Sequence, residues 1–210
     1  MLCLSGTVFP IWGTCLGFEA LSSAMGGGPG VLTGDYDSEN LALSLELTNL
    51  ASTAQLFSPP SSYGFPSDAG KTALIVLGSE NSTFNNHVMG VTPATYSSNT
   101  WLQGNFSVLS INHDRAGKPF VSLIEGLIYP FHGSQFHPEK NAFEWNTREL
   151  LPHSPAAISA SLYLVQNFVN TARLNNQQFP SPQVESAALI YNVPTVFTNT
   201  DFLECYFWYN

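Results

Sequence analysis

The sequence predicts a single α/β domain spanning residues 1–210. Three observations carry that expectation. Residues 9–21 (FPIWGTCLGFEAL) read as a strand, a tight turn and the start of a helix. Residues 106–136 read as a hairpin followed by a further strand that ends at His137. Ser154-Pro155 opens a long helix with apolar residues at helical spacing, suited to lie on a sheet.

The first of these stretches is the one around which the chain is organised. It is apolar and extended from Phe9 to Trp12, then turns through Gly13-Thr14-Cys15-Leu16-Gly17. A strand, a sharp turn and a helix with a reactive residue at the apex form a nucleophile elbow, here with Cys15 in place of serine. The apex residue of such a turn has a strained backbone, so Gly13 and Gly17 are expected to leave room where a Cβ would clash. The helix that follows points its N–H groups and positive dipole end at the sulfur, which favours thiolate over thiol. The Leu16 N–H is placed to donate to an oxyanion.

Beyond the elbow, Gly26-Gly27-Gly28-Pro29-Gly30 reads as a loop, and the lack of a following Lys-Ser/Thr argues against a phosphate loop. Leu41, Leu43, Leu45 and Leu47 alternate with smaller or polar residues, which predicts a strand. Residues 58–66 hold three prolines and a glycine and read as loop. The short apolar run 71–77 fits either a strand or a helix. Strands are expected over 106–112 and 120–125 about a turn at 113–118, with another over 128–136. Ser154 is an N-cap and Pro155 the first helical residue. Ile158, Leu162, Val165, Val169 and Ala172 then predict the face that packs on the sheet. The apolar, aromatic tail 187–210 is expected to fold back onto the domain.

Composition excludes several functions. Six Lys+Arg against fifteen Asp+Glu give a net charge of −9, and no basic run occurs, so nucleic acid and anionic membrane are poor partners. No apolar run reaches membrane-spanning length, and residues 1–6 are too short and polar for a signal peptide. Cys3, Cys15 and Cys205 form no disulfide framework, and an odd count leaves at least one thiol free. His and Cys spacing fits no zinc pattern, so no metal or cofactor is expected. Sequons stand at Asn81 and Asn105, as they often do by chance in an Asn- and Ser-rich chain.

A cysteine nucleophile requires a general base, and the base requires a group to orient it. His137 follows an apolar strand, and Glu139 stands two residues on, where its carboxylate can fold back onto the ring. Gly-x-Cys-x-Gly on an elbow and His-Pro-Glu after a later strand together resemble the class I glutamine amidotransferase-like fold. Within that superfamily the chain resembles the gamma-glutamyl hydrolases. The carrying residues are 9–21 and 129–145, above all Gln135-Phe136-His137-Pro138-Glu139-Lys140-Asn141 and Phe143-Glu144-Trp145. Helix 156–173 with Asn175-Asn176, and Ala188-Leu189-Ile190-Tyr191, add to the match.

The resemblance implies a three-layer α/β/α fold with a mostly parallel central sheet. It implies a cysteine omega-peptidase that cleaves gamma-linked glutamates from folate polyglutamates without a cofactor. Cys15 would be the nucleophile, His137 the base and Glu139 its partner. His87, in Thr83-Phe84-Asn85-Asn86-His87, matches a family histidine that orients substrate, and Glu19 a glutamate near substrate. His113, His132 and His153 match no active-site role. The resemblance also implies a lysosomal, vacuolar or extracellular location and a possible homodimer. The family has a segment before the elbow with further strands and a second oxyanion donor. Without it, these 210 residues are expected to be N-terminally truncated and weakly active or inactive. Two other readings share Cys15, His137 and Glu139. One is a glutaminase domain serving a synthetase, against which Phe143-Glu144-Trp145 argues. The other is an inactive gamma-glutamyl-binding module.

Overall fold

The computed structural model describes residues 8–60, 63–198 and 204–208. The elbow forms as its glycines and apolar flank dictate: strand β1 (Ile11–Thr14), then Cys15, then helix α1 (Leu16–Gly26), which ends on Gly27 in the left-handed region at φ 90°. Strands β2 (Leu41–Leu43) and β3 (Glu46–Leu47) follow, then helix α2 (Ala69–Ser79) and strand β4 (Thr83–Asn85). Helices α3 (Pro93–Ser98) and α4 (Thr100–Asn105) are each capped by a polar side chain, Thr92 and Asn99. Strands β5 (Phe106–His113), β6 (Pro119–Gly126) and β7 (Phe131–Ser134) lead to helix α5 (Lys140–Phe143) and the long helix α6 (Pro155–Ala172). Ser154 Oγ accepts from the Ala157 N–H and caps α6, as the Ser-Pro pair predicts. Helix α7 (Pro182–Ala188) and strands β8 (Thr195–Phe197) and β9 (Glu204–Tyr206) complete the described chain.

The central sheet runs β1-β7-β6-β5-β3. Strand β1 lies parallel to β7, with Ile11 opposite Phe131 and Thr14 opposite Ser134. The other three pairings are antiparallel. The α/β class stands, but the described sheet is mixed where a mostly parallel one was expected. Connection length is the reason. The β5–β6 turn is closed by Asp114, whose Oδ1 accepts from the N–H groups of Ala116 and Lys118. Only residues 127–130 join β6 to β7. Links this short cannot cross over to a parallel strand.

Helices cover both faces of the sheet. On one, Phe18 of α1 packs with Tyr96, Leu102, Phe106, Val121 and Ile124. On the other, Ala73 and Leu77 of α2 and Ala160 and Leu164 of α6 pack over Leu109, Leu123 and Phe136. Each fully buried Leu or Phe contributes about 2 kcal/mol to holding the layers together. No helix among the described residues is long and apolar enough to cross a membrane.

Several local expectations change. The run 71–77 lies within helix α2. The leucine alternation is broken into β2 and β3, which belong to different sheets. Helix α6 buries Ala157, Ala160, Ser161, Tyr163, Leu164, Asn167 and Thr171, whereas Leu162 of the expected face is 40 % exposed. Close approach of α2 and two polar anchors turn the helix this way: Tyr163 Oη and Asn167 Nδ2 both donate to the Leu56 carbonyl. Among the described residues of the tail none is buried, so the expected packing against the domain is not seen there. Helix α7 buries no residue, β8 and β9 pair with each other, and Tyr191 is 85 % exposed. Cys15 and Cys205 are free thiols, while Cys3 and residues 1–6 lie outside the described residues.

Candidate active site

Strand β7 assembles the site. It pairs with β1 along its length, and its Ser134 carbonyl accepts from the Cys15 N–H at 2.8 Å. That bond fixes the apex of the elbow. Cys15 has φ 50° and ψ −106°, a strained conformation for a residue with a side chain. Gly13 makes it possible: a Cβ there would lie 2.5 Å from the Gly17 carbonyl oxygen. Gly17 itself faces open space, so the expected clash at that glycine is not found. Its backbone is what Gly13 makes room for. The Leu16 N–H, first in α1, has no backbone acceptor among the described residues.

Three residues past the end of β7 comes His137, whose N–H donates to the Phe84 carbonyl of β4. Its Nδ1 lies 2.6 Å from Glu139 Oε1. Cys15 is close enough to the ring to raise its pKa, and with Nδ1 engaged by Glu139 the free ring nitrogen is Nε2. Burial disfavours the imidazolium, but the bonds to Cys15 and Glu139 and their negative charge outweigh it and raise the pKa from 6.5 to about 9. A charged imidazolium beside the cysteine is the arrangement this favours.

The raised pKa has a consequence for pH dependence. Below 6.5 the imidazolium exists in both folded and unfolded chains, and its contribution to stability is fully present. That contribution is lost as pH rises through about 9. Glu139→Gln is expected to lower the His137 midpoint and to move the alkaline limb of the pH–rate profile to lower pH. NMR titration of the His137 ring together with the rate profile checks this; an unmoved midpoint would show that Glu139 does not tune the base.

The loop after His137 is bolted down. Lys140 Nζ donates to both oxygens of Glu149 at 2.8 and 2.7 Å and lies over the Phe84 ring. It is 7 % exposed, so it is a buried structural cation. Asn141 is wholly buried, and its Nδ2 donates to the Ser82 and Pro152 carbonyls, both at 2.9 Å. His153 donates from Nδ1 to the Asn141 carbonyl and stacks on Trp145 at 4.0 Å. Asn141→Ala strips partners from two carbonyls and is expected to cost about 2 kcal/mol, readable by urea unfolding. A cost near zero would mean that the loop is held elsewhere.

His87 is buried beside Tyr36 and Phe120. Burial lowers its pKa to about 4; the bond to Met89 and the charge of Asp114 oppose this, and His137 adds to it. Its Nδ1–H donates to the Met89 carbonyl at 2.7 Å, so Nε2 is a lone-pair acceptor, and it has no partner among the described residues. Glu19, one turn into α1, is buried, and burial raises its pKa against the lowering bond from Gln135. The structure thus brings Cys15, His137 and Glu139 together, with Leu16 and Glu19 on the same elbow and His87 within electrostatic reach of His137.

Sequence reasoning gave Gln135 no role. It is fully buried, and its Nε2 lies 3.1 Å from Glu19 Oε1 and 3.9 Å from Cys15 Sγ. Its place two residues before His137 is the only signal the sequence offers. His113 pairs with Glu46 at the surface, and His132 stacks on Trp12. A cavity of about 260 Å³ at the other end of β7, bounded by Tyr63, Glu125, His132 and Thr171, contains none of the candidate site residues.

Residues 4–150 match the family described as Glutamine amidotransferase class-I. The chain belongs to this family. It is 36 % identical to human gamma-glutamyl hydrolase over 96 % of this chain and 60 % of that protein. It is 34 % identical to gamma-glutamyl hydrolase B of Dictyostelium discoideum, over 93 % of this chain and 53 % of that protein. Probable gamma-glutamyl hydrolase 3 of Arabidopsis thaliana is 32 % identical over 92 % of this chain and 52 % of its own length. The resemblance read from the sequence is therefore upheld, and it favours the hydrolases over a synthetase-linked glutaminase. The chain spans between about half and three fifths of the length of these relatives.

Proposed function

We propose that the chain is a cysteine-dependent gamma-glutamyl hydrolase acting on folate poly-gamma-glutamates. The observation that carries this is Cys15 at φ 50° on the elbow, within electrostatic reach of a His137 that Glu139 holds at 2.6 Å. The Cys15 thiolate adds to the gamma-amide carbonyl carbon. The carbonyl oxygen becomes an oxyanion facing the Leu16 N–H. As the tetrahedral adduct collapses, the C–N bond breaks and His137 passes its proton to the leaving amine. The neutral imidazole then takes a proton from water, and the hydroxide cleaves the thioester to free the gamma-carboxylate and restore the thiolate.

His87 presents a neutral acceptor to the substrate, and Glu19 borders the site beneath Cys15. His87 stays neutral well into the acidic range because its pKa is lowered to about 4, which suits work in a lysosome, a vacuole or an acidic exterior. The test is glutamate release from a folyl poly-gamma-glutamate, measured beside ammonia release from glutamine. Preferential release of glutamate is expected. Faster release of ammonia, or no release from folded protein, overturns the reading.

A further inference from the structure

We propose that Gln135 is a dedicated hydrogen-bond donor to the Cys15 sulfur, and that Glu19 serves to aim it. This rests on the reading of Cys15 as a nucleophile. It concerns how the thiolate is held and not which substrate it attacks.

The geometry is specific. Gln135 is wholly buried at the end of β7, and its backbone N–H is taken by the Ser122 carbonyl. Its Nε2 stands between two acceptors, Glu19 Oε1 at 3.1 Å and Cys15 Sγ at 3.9 Å. A side-chain amide has two N–H donors, so one nitrogen can serve both. The amide Oε1 is buried and has no partner among the described residues. Leaving a buried carbonyl oxygen unpaired is unfavourable, and a half-turn of the amide would not cure it. That turn would set the oxygen against a carboxylate and a sulfur lone pair. Only one orientation serves both neighbours, and Glu19 selects it.

The electrostatic effect follows. His137, from the loop after β7, is the titratable group coupled to Cys15, while Glu19 of α1 is linked to the sulfur through the Gln135 amide. Glu139 and His87 act one step further out, through His137. The Glu19 carboxylate alone would oppose a thiolate. Interposing the Gln135 amide presents N–H to the sulfur and engages the carboxylate with the other donor. A neutral dipole thus screens one negative group from the other. Charge-assisted donation to the thiolate adds to what the helix N-terminus and His137 supply.

The test exchanges the two side chains. The double variant Glu19→Gln/Gln135→Glu keeps their combined size and a carboxylate–amide hydrogen bond between them, but places a carboxylate beside the sulfur. Carbamidomethylation of Cys15 by iodoacetamide is followed against pH, with the Cys15 peptide quantified by mass spectrometry. The pH midpoint of alkylation is expected to rise by about one unit, and the rate at neutral pH to fall ~10-fold. A merely structural pair would be restored by the exchange, so a wild-type profile overturns the proposal. Should the exchanged protein not fold by circular dichroism, Gln135→Met removes the donor at similar volume and is read the same way. On the unaltered chain, the Gln135 side-chain amide resonance is expected to shift as Cys15 is alkylated; an unmoved resonance also overturns the proposal. Normal alkylation without gamma-glutamyl turnover would defeat the functional reading and leave this one standing.

Discussion

Cys15→Ala is expected to reduce gamma-glutamyl turnover by about 10⁴-fold or more, without loss of fold. The substitution takes away the only sulfur at the elbow and one of the two bonds that raise the His137 pKa to about 9. What remains is an oxyanion donor and a base with no nucleophile to activate. Residues that act as a unit lose their effect together, so Cys15→Ala/His137→Asn is expected to be no slower than Cys15→Ala alone. Glutamate release from a folyl poly-gamma-glutamate measures both, and an unchanged melting profile shows that the fold is intact. If Cys15→Ala keeps more than about a hundredth of the activity, the attack comes from another group.

Gly13→Ala is expected to destabilise the protein by about 3 kcal/mol or more and to abolish Cys15 reactivity with it. The added methyl would lie 2.5 Å from the Gly17 oxygen, 2.6 Å from its carbon and 2.8 Å from the Phe18 nitrogen. All three are backbone atoms, so no rotamer change relieves the contact. The turn must open, and with it goes the positive φ that presents the sulfur. Gly17→Ala is the control within the same motif. Its Cβ would meet nothing within 4 Å, and inside α1 alanine is the better helix former. It is expected to leave stability unchanged or raise it by about 0.5 kcal/mol. Urea unfolding of the two variants separates them. Equal costs would mean that the turn tolerates a Cβ at both glycines alike.

Turn and cap chemistry was legible in the sequence. Gly13 through Gly17 announced the elbow, Ser154-Pro155 the start of α6, and Asp114 through Lys118 the hairpin, because each is set by local backbone preference. Cys15 and His137, far apart in sequence, were legible as a pair because the chemistry needs both. The buried face of α6 was not. Its apolar residues follow helical spacing, yet Tyr163, Asn167 and Thr171 are buried through bonds to the Leu56 and Asn167 carbonyls, which periodicity does not register. The strand directions were hidden in a resemblance that implied a mostly parallel sheet, while the short links on either side of β6 required antiparallel neighbours. Gln135 escaped notice because a neutral amide carries no chemistry of its own. Its meaning comes only from the two acceptors between which it stands.

Among the described strands, β7 is the one that joins both halves of the candidate site, pairing with β1 and leading to His137. That contact joins residues more than a hundred positions apart, and the chain entropy of closing so large a loop must be met before it forms. As the chain is synthesised, Cys15 emerges more than a hundred residues before the strand that completes its surroundings. Until then the cysteine lacks its base, its amide donor and the carbonyl that fixes its backbone. Separating the thiol from its base and its amide donor by more than a hundred residues keeps the growing chain chemically quiet until the sheet has closed.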